Sequence, residues 1–213
     1  MSIAVQADAI RVALLNKYGG IWMDPDSIII NGEFIKNFEN YELTMVSDTK
    51  TKYHYIGFIH ASKNSKIIKE WFKQIIVKVK LYRHYFLNQK NNNISENSMK
   101  KFRSVKYLGN NILDSLIKNI KENKFLHLDS NEINSFPERK SFKNYSLEFY
   151  IKRYKSFYFT KGNPQIILNN TKGLILLHNS WTPLKYKNMS ENDFLKQDIL
   201  LSKLFLKILV LKA

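Results

Sequence analysis

The chain contains no cysteine. Disulfides, thiolate nucleophiles and thiolate metal sites are thereby excluded, which suits a reducing compartment. Acidic residues are few, 18 against 34 lysines and arginines, leaving a net charge of +16 at pH 7. Such an excess draws a protein towards phosphate-rich partners: nucleic acid, anionic lipid or nucleotides. Long apolar runs are also lacking. Met1 to Gln6 shows no basic segment followed by an apolar stretch, so no secretory signal is visible. Proline and glycine are scarce, at 4 and 7 of 213 residues, while 44% of the chain is hydrophobic and 14% aromatic. That composition predicts one folded domain over 1–213 with a sizeable core and no global disorder.

The most informative stretch runs from Ala7 to Asp26. Ile10 and Leu14 lie one helical turn apart and predict an apolar stripe facing the core; Asp8 and Arg11, at i and i+3, share a different, polar face and can reach one ligand. Gly19 and Gly20 stop the helix, because glycine accepts the backbone of a C-cap without a Cβ clash. Ile21-Trp22-Met23 then reads as a short strand. On a regular strand Asp24 and Asp26 point to one face, and Pro25, lacking a donor, ends the ladder. Two adjacent carboxylates repel unless a cation separates them, and Mg²⁺ or Mn²⁺ prefers such oxygens while keeping positions open for phosphate. A solvated turn with a surface ion pair is the plainer alternative.

The combination Asp8-x-x-Arg11, Tyr18-Gly19-Gly20 and Asp24-x-Asp26 resembles the DxD glycosyltransferases that use sugar-nucleotide donors. Within them it is similar to the capsular polysaccharide synthesis and glycosyltransferase family 32 type, with yeast-type mannosyltransferases and the glucosylating domains of large clostridial toxins as relatives. The resemblance implies an α/β, GT-A-like (Rossmann-like) fold, a mostly parallel sheet flanked by helices. In that group a βαβ portion precedes the D-x-x-R helix, so the chain is expected to be N-terminally truncated.

Further along, Ser27 to Ile30, Leu43 to Val46, Tyr53 to Lys63 and Lys124 to Asp129 read as strands; Asn64 to Phe86, capped by Ser65, and Tyr107 to Ile120 read as helices. His54 and His60 receive no role. Residues 88–99 are polar and of low complexity, predicting a loop. Gly109 stands at a helix start where the resembled group has Gly-Pro, with Asn110 replacing the proline. Ser141 to Gly162 interleaves tyrosines and phenylalanines with lysines, more in keeping with a half-buried surface than with a stacking platform. The tail, 193–213, predicts an apolar helix edged by Lys196, Lys203 and Lys207, suited to the protein's own core or to an anionic membrane interface; it is too short and too charged to span a bilayer.

Gly173 to Leu177 predicts a buried strand delivering His178-Asn179-Ser180-Trp181 at its tip. A late His-containing segment of this kind returns to the active site in the resembled group. The resemblance thus implies that Asp8 and Arg11 hold donor sugar hydroxyls, and that Asp24 touches sugar or ribose and helps set the metal. Asp26 binds the metal with His178 completing the shell, and Ser180 and Trp181 face the diphosphate. The implied activity is transfer of a hexose from a nucleoside-diphosphate sugar to a glycan or lipid-linked hydroxyl, in the cytoplasm or at the inner face of the membrane, with retention of configuration. Two alternatives stay open: an inactive, truncated relative, and a basic nucleic-acid-binding module, although no specific nucleic-acid motif is present.

Overall fold

The computed structural model describes residues 1–48, 53–89, 102, 104, 107–118, 122–129, 136, 146–170 and 173–210. The expected loop at 88–99 lies, beyond residue 89, outside them. Contacts divide the chain into two compact units, Met1–Asp24 with Lys36–Leu128, and Pro25–Ile35 with Asp129–Ala213.

In the first unit, α1 (Ile3–Tyr18) leads through Gly19 into β1 (Gly20–Met23). Gly19 has φ 68°, and its N–H closes the helix on Leu15 O at 2.8 Å. An added Cβ there would stand 2.7 Å from the backbone N of Lys63, so both conformation and space demand glycine. The helix face differs from the expected one. Val5, Val12 and Leu15 are buried together with Asp8 and Arg11, whereas Ile10 and Leu14 are 54% and 43% exposed. The ionic pair compensates itself inside the core, which is what permits that face to turn inward.

The four-stranded sheet has the order β1-β4-β3-β5, with β3 Leu43–Asp48, β4 Tyr53–Ala61 and β5 Phe125–Asp129. β4 pairs antiparallel with β1 (Gly20 opposite Ala61, Met23 opposite Phe58) and with β3, where a bulge falls between Met45 and Val46. β5 runs alongside β3 in the same direction: Glu42 N–H donates to Lys124 O at one end, and His127 Nδ1 lies 3.0 Å from Ser47 Oγ at the other. The fold is therefore mixed α/β, and the mostly parallel sheet is corrected to a small mixed one. β3 and β4 are joined by a connection of four residues, 49–52, far too short for the crossover that parallel neighbours need.

Helix α2 (Lys66–Gln89) covers the sheet with Ile68, Trp71 and Ile75. Its start is capped twice over: Ser65 Oγ accepts from Ile68 N–H, and Glu42 Oε1 accepts from Lys66 N–H at 2.6 Å. Trp71 Nε1 donates to Leu108 O at 2.7 Å, which ties α2 to the approach of α3 (Asn110–Ile117).

The second unit pairs β2 (Ser27–Ile29) antiparallel with β6 (Leu174–Leu176). Helix α4 (Leu147–Tyr158) buries Tyr150, Tyr154 and Tyr158 at i, i+4 and i+8, so these three tyrosines of that stretch are core while Phe149 is exposed. Helices α5 (Pro164–Asn170), α6 (Leu184–Lys187) and α7 (Glu191–Leu195) precede α8 (Leu200–Val210). α8 buries Leu200, Leu201, Leu204 and Ile208, and Lys203 and Lys207 bond Asp198 and Gln165. Of its two expected uses, docking onto the core of its own unit is the one observed. Among the described residues no helix is long and apolar enough to cross a membrane.

Candidate functional site

Asp8, Arg11 and Asp24 meet in the first unit. Arg11 Nη1 lies 3.1 Å from Asp8 Oδ1, and Nη2 lies 3.0 Å from Asp24 Oδ1. Asp8 and Arg11 are 4% and 5% exposed; the Asp24 side chain keeps 27% of its surface, so it is the member of the three that faces solvent. Strand periodicity brings in a fourth residue. Trp22, two positions before Asp24, donates from Nε1 to the same Oδ1 at 2.7 Å, and the Arg11 guanidinium lies 5.4 Å from its ring centroid. Asp24 Oδ1 thus accepts two donors, one of them charged, while Asp24 N–H extends the β1 ladder to Gly57 O.

The cluster is electrostatically tense. Burial pushes the Asp8 carboxyl up from 3.8 to about 6, against the opposing pull of Arg11 and with a smaller push from Asp24. Arg11 Nε is buried without a hydrogen-bond partner among the described residues. Gly109, at the start of α3, presses on the same carboxylate: a Cβ there would stand 2.6 Å from Asp8 Oδ2.

In the second unit Asp26 closes the β2/β6 ladder by accepting Leu177 N–H at its backbone oxygen, 2.9 Å, and its Oδ2 accepts Asn179 N–H at 3.1 Å. It therefore caps the 3₁₀ turn Asn179–Trp181. The two aspartates do not extend one regular strand together; each ends a different ladder. The His178 ring packs against Trp181 at a tilt of 35° with ring centroids 3.8 Å apart, and burial pushes its imidazole pKa down, partly offset by the Asp26 charge. Its backbone N–H donates to Tyr154 Oη at 2.9 Å, and the Tyr154 phenol is pushed up to about 12, chiefly by burial. Trp181 also meets Tyr150 and Tyr154 edge-on, while Ser180 is exposed.

Trp22 and Tyr154 carry no role in the sequence reading. Trp22 was within reach, since a period of two places it on the face of Asp24; Tyr154 was not, because its partner is 24 residues away. Among the described residues no group of three or more His, Asp or Glu side chains is gathered as a metal site. The donor chemistry still suits a hard divalent ion. In the second unit, Asp26 Oδ1 makes no hydrogen bond among the described residues, and burial favours the neutral His178 imidazole, the form that ligates metal.

Fold and site together define a mixed α/β protein with carboxylates at its strand ends, one set locked to a buried arginine. The family model for capsular polysaccharide synthesis proteins matches residues 1–162. The chain belongs to that family, which gives it a role in capsule synthesis; His178, Ser180 and Trp181 lie beyond the matched span. No curated protein and no solved structure matches it.

Proposed function

We propose that this chain is a metal-dependent, DxD-type glycosyltransferase of GT-A character, moving a hexose from a nucleoside-diphosphate sugar to a glycan or lipid-linked hydroxyl during capsule synthesis, in the cytoplasm or at the inner membrane face. The observation that carries the reading is the buried Asp8–Arg11 pair fixing the half-buried carboxylate of Asp24, an arrangement costlier than an apolar core of equal volume. Family membership supports it.

Asp24 is assigned to sugar or ribose hydroxyls. Arg11 and Trp22 donate to one of its oxygens and so leave the other to accept from a ligand. Asp8 counters the Arg11 charge; direct contact of Asp8 and Arg11 with sugar requires their uncovering, since both are buried. Asp26 and His178, both of the second unit, are residues that would hold Mn²⁺ or Mg²⁺, with Asp24 added by the family resemblance alone, and the ion would supply Lewis-acid stabilisation of charge on the departing diphosphate. Ser180 and the Trp181 indole N–H are assigned to phosphate oxygens, with Asp26 and Tyr154 fixing the backbone of that turn.

The test is release of nucleoside diphosphate from UDP- and GDP-hexoses by the full chain, with Mn²⁺ and with EDTA. Metal-dependent release from one donor class, lost in Asp24→Asn, is expected. Release by neither class in the presence of capsular oligosaccharide acceptors, from folded protein, contradicts the proposal.

A further inference from the structure

Helix α2 has a second face that the core does not use. Ile68, Trp71 and Ile75 point into the first unit, but Lys69, Lys73, Ile76, Lys80, Arg83 and Leu87, recurring at four and three, form a continuous exposed stripe on another side. Val77 adjoins it and is 66% exposed; Leu87 is 52% exposed. The helix carries six lysines and arginines against one acid, Glu70, which lies 3.9 Å from Lys73. Among the described residues, Lys80 and Arg83 make neither a salt bridge nor a hydrogen bond.

Three occupants suit an apolar, basic helix face in principle, and charge separates them. A second copy would bring Lys80 and Arg83 against the same cations, which disfavours self-pairing. Polynucleotide would satisfy the cations yet gain nothing from burying Ile76, Val77 and Leu87. An anionic bilayer interface satisfies both kinds of side chain: phosphates take the cations while the aliphatic groups enter the acyl boundary. The net charge of +16 acts in the same direction. We infer that α2, through the stripe from Lys69 to Leu87, is a membrane-surface face that holds this protein against anionic lipid. This is independent of the donor chemistry.

The experiment is co-sedimentation of the full chain with vesicles of phosphatidylcholine alone and with 30 mol% phosphatidylglycerol, at low and high salt. Binding is expected only to the anionic vesicles and is expected to weaken with salt. The exposed double variant K80Q/R83Q should lower partitioning about 10- to 30-fold, each cation near a charged surface being worth roughly a factor of five. V77N/L87N, with every charge kept, should lower it several-fold. The control K155Q/K187Q, two exposed lysines of the second unit, should change it little; circular dichroism verifies folding of each variant. Four results overturn the inference: no binding to anionic vesicles, equal loss in the control and K80Q/R83Q, full binding by V77N/L87N with displacement by polynucleotide, or a solution dimer dissolved by V77N/L87N.

Discussion

Replacing Arg11 by methionine keeps length and apolar packing but removes the cation between Asp8 and Asp24. Two costs follow. The contacts to Asp24 and to the Trp22 ring disappear, worth about 1–2 kcal/mol. Asp8 also loses its counter-charge, but protonation caps that loss. At pH 7, taking a proton onto a carboxyl with an unfolded value of 3.8 costs about 4 kcal/mol, and the native protein, with Asp8 at about 6, already bears about 3 of these. The added penalty is therefore only about 1 kcal/mol at pH 7 and close to zero at pH 5, where Asp8 is protonated with or without Arg11. The sign follows from the raised pKa: Asp8 contributes most stability below its unfolded value and loses it as pH rises to about 6. Urea denaturation should show Arg11→Met costing about 2–3 kcal/mol at pH 7 and about 1–2 at pH 5, with the difference abolished in an Asp8→Asn background. A cost that is independent of pH, or that grows as pH falls, refutes the assignment of Asp8 as the partner that titrates.

Two more substitutions probe the same geometry. Gly109→Ala should destabilise by about 1–3 kcal/mol through overpacking, because its Cβ meets Asp8 Oδ2 at 2.6 Å and Ile56 Cδ1 at 2.7 Å; a melting temperature equal to the parent's would show that the carboxylate is not fixed there. Tyr154→Phe strips the acceptor from His178 N–H and should cost about 1–2 kcal/mol in chemical denaturation, with Trp181 fluorescence altered in the native baseline; unchanged stability and fluorescence would remove Tyr154 from the site.

How far the sequence showed these features depends on whether they are local. The glycine stop after α1, the strand ending at Asp24, the cap at Ser65 and the strand before His178 all rest on neighbours within a few residues. The buried face of α1 was harder, because two apolar stripes compete on that helix. The one that wins, Val5, Val12 and Leu15, includes Asp8 and Arg11, and a rule placing charges outside selects Ile10 and Leu14 instead. Only knowledge that Arg11 spans two carboxylates makes the burial affordable. Strand direction was likewise hidden: a β-rich run looks alike in either direction, and β1 finds its neighbour β4 more than thirty residues on. The Asp26–Asn179 bond spans 153 residues, so the cap it makes was visible only as two separate motifs.

The most direct test of the central claim is calorimetric titration of UDP and GDP into the folded chain, with and without Mn²⁺, beside Asp26→Ala. The account predicts binding of one of the two nucleotides that requires the metal and is lost in the variant. Absence of binding of either nucleotide to folded protein, or binding that ignores both the metal and Asp26, would contradict it.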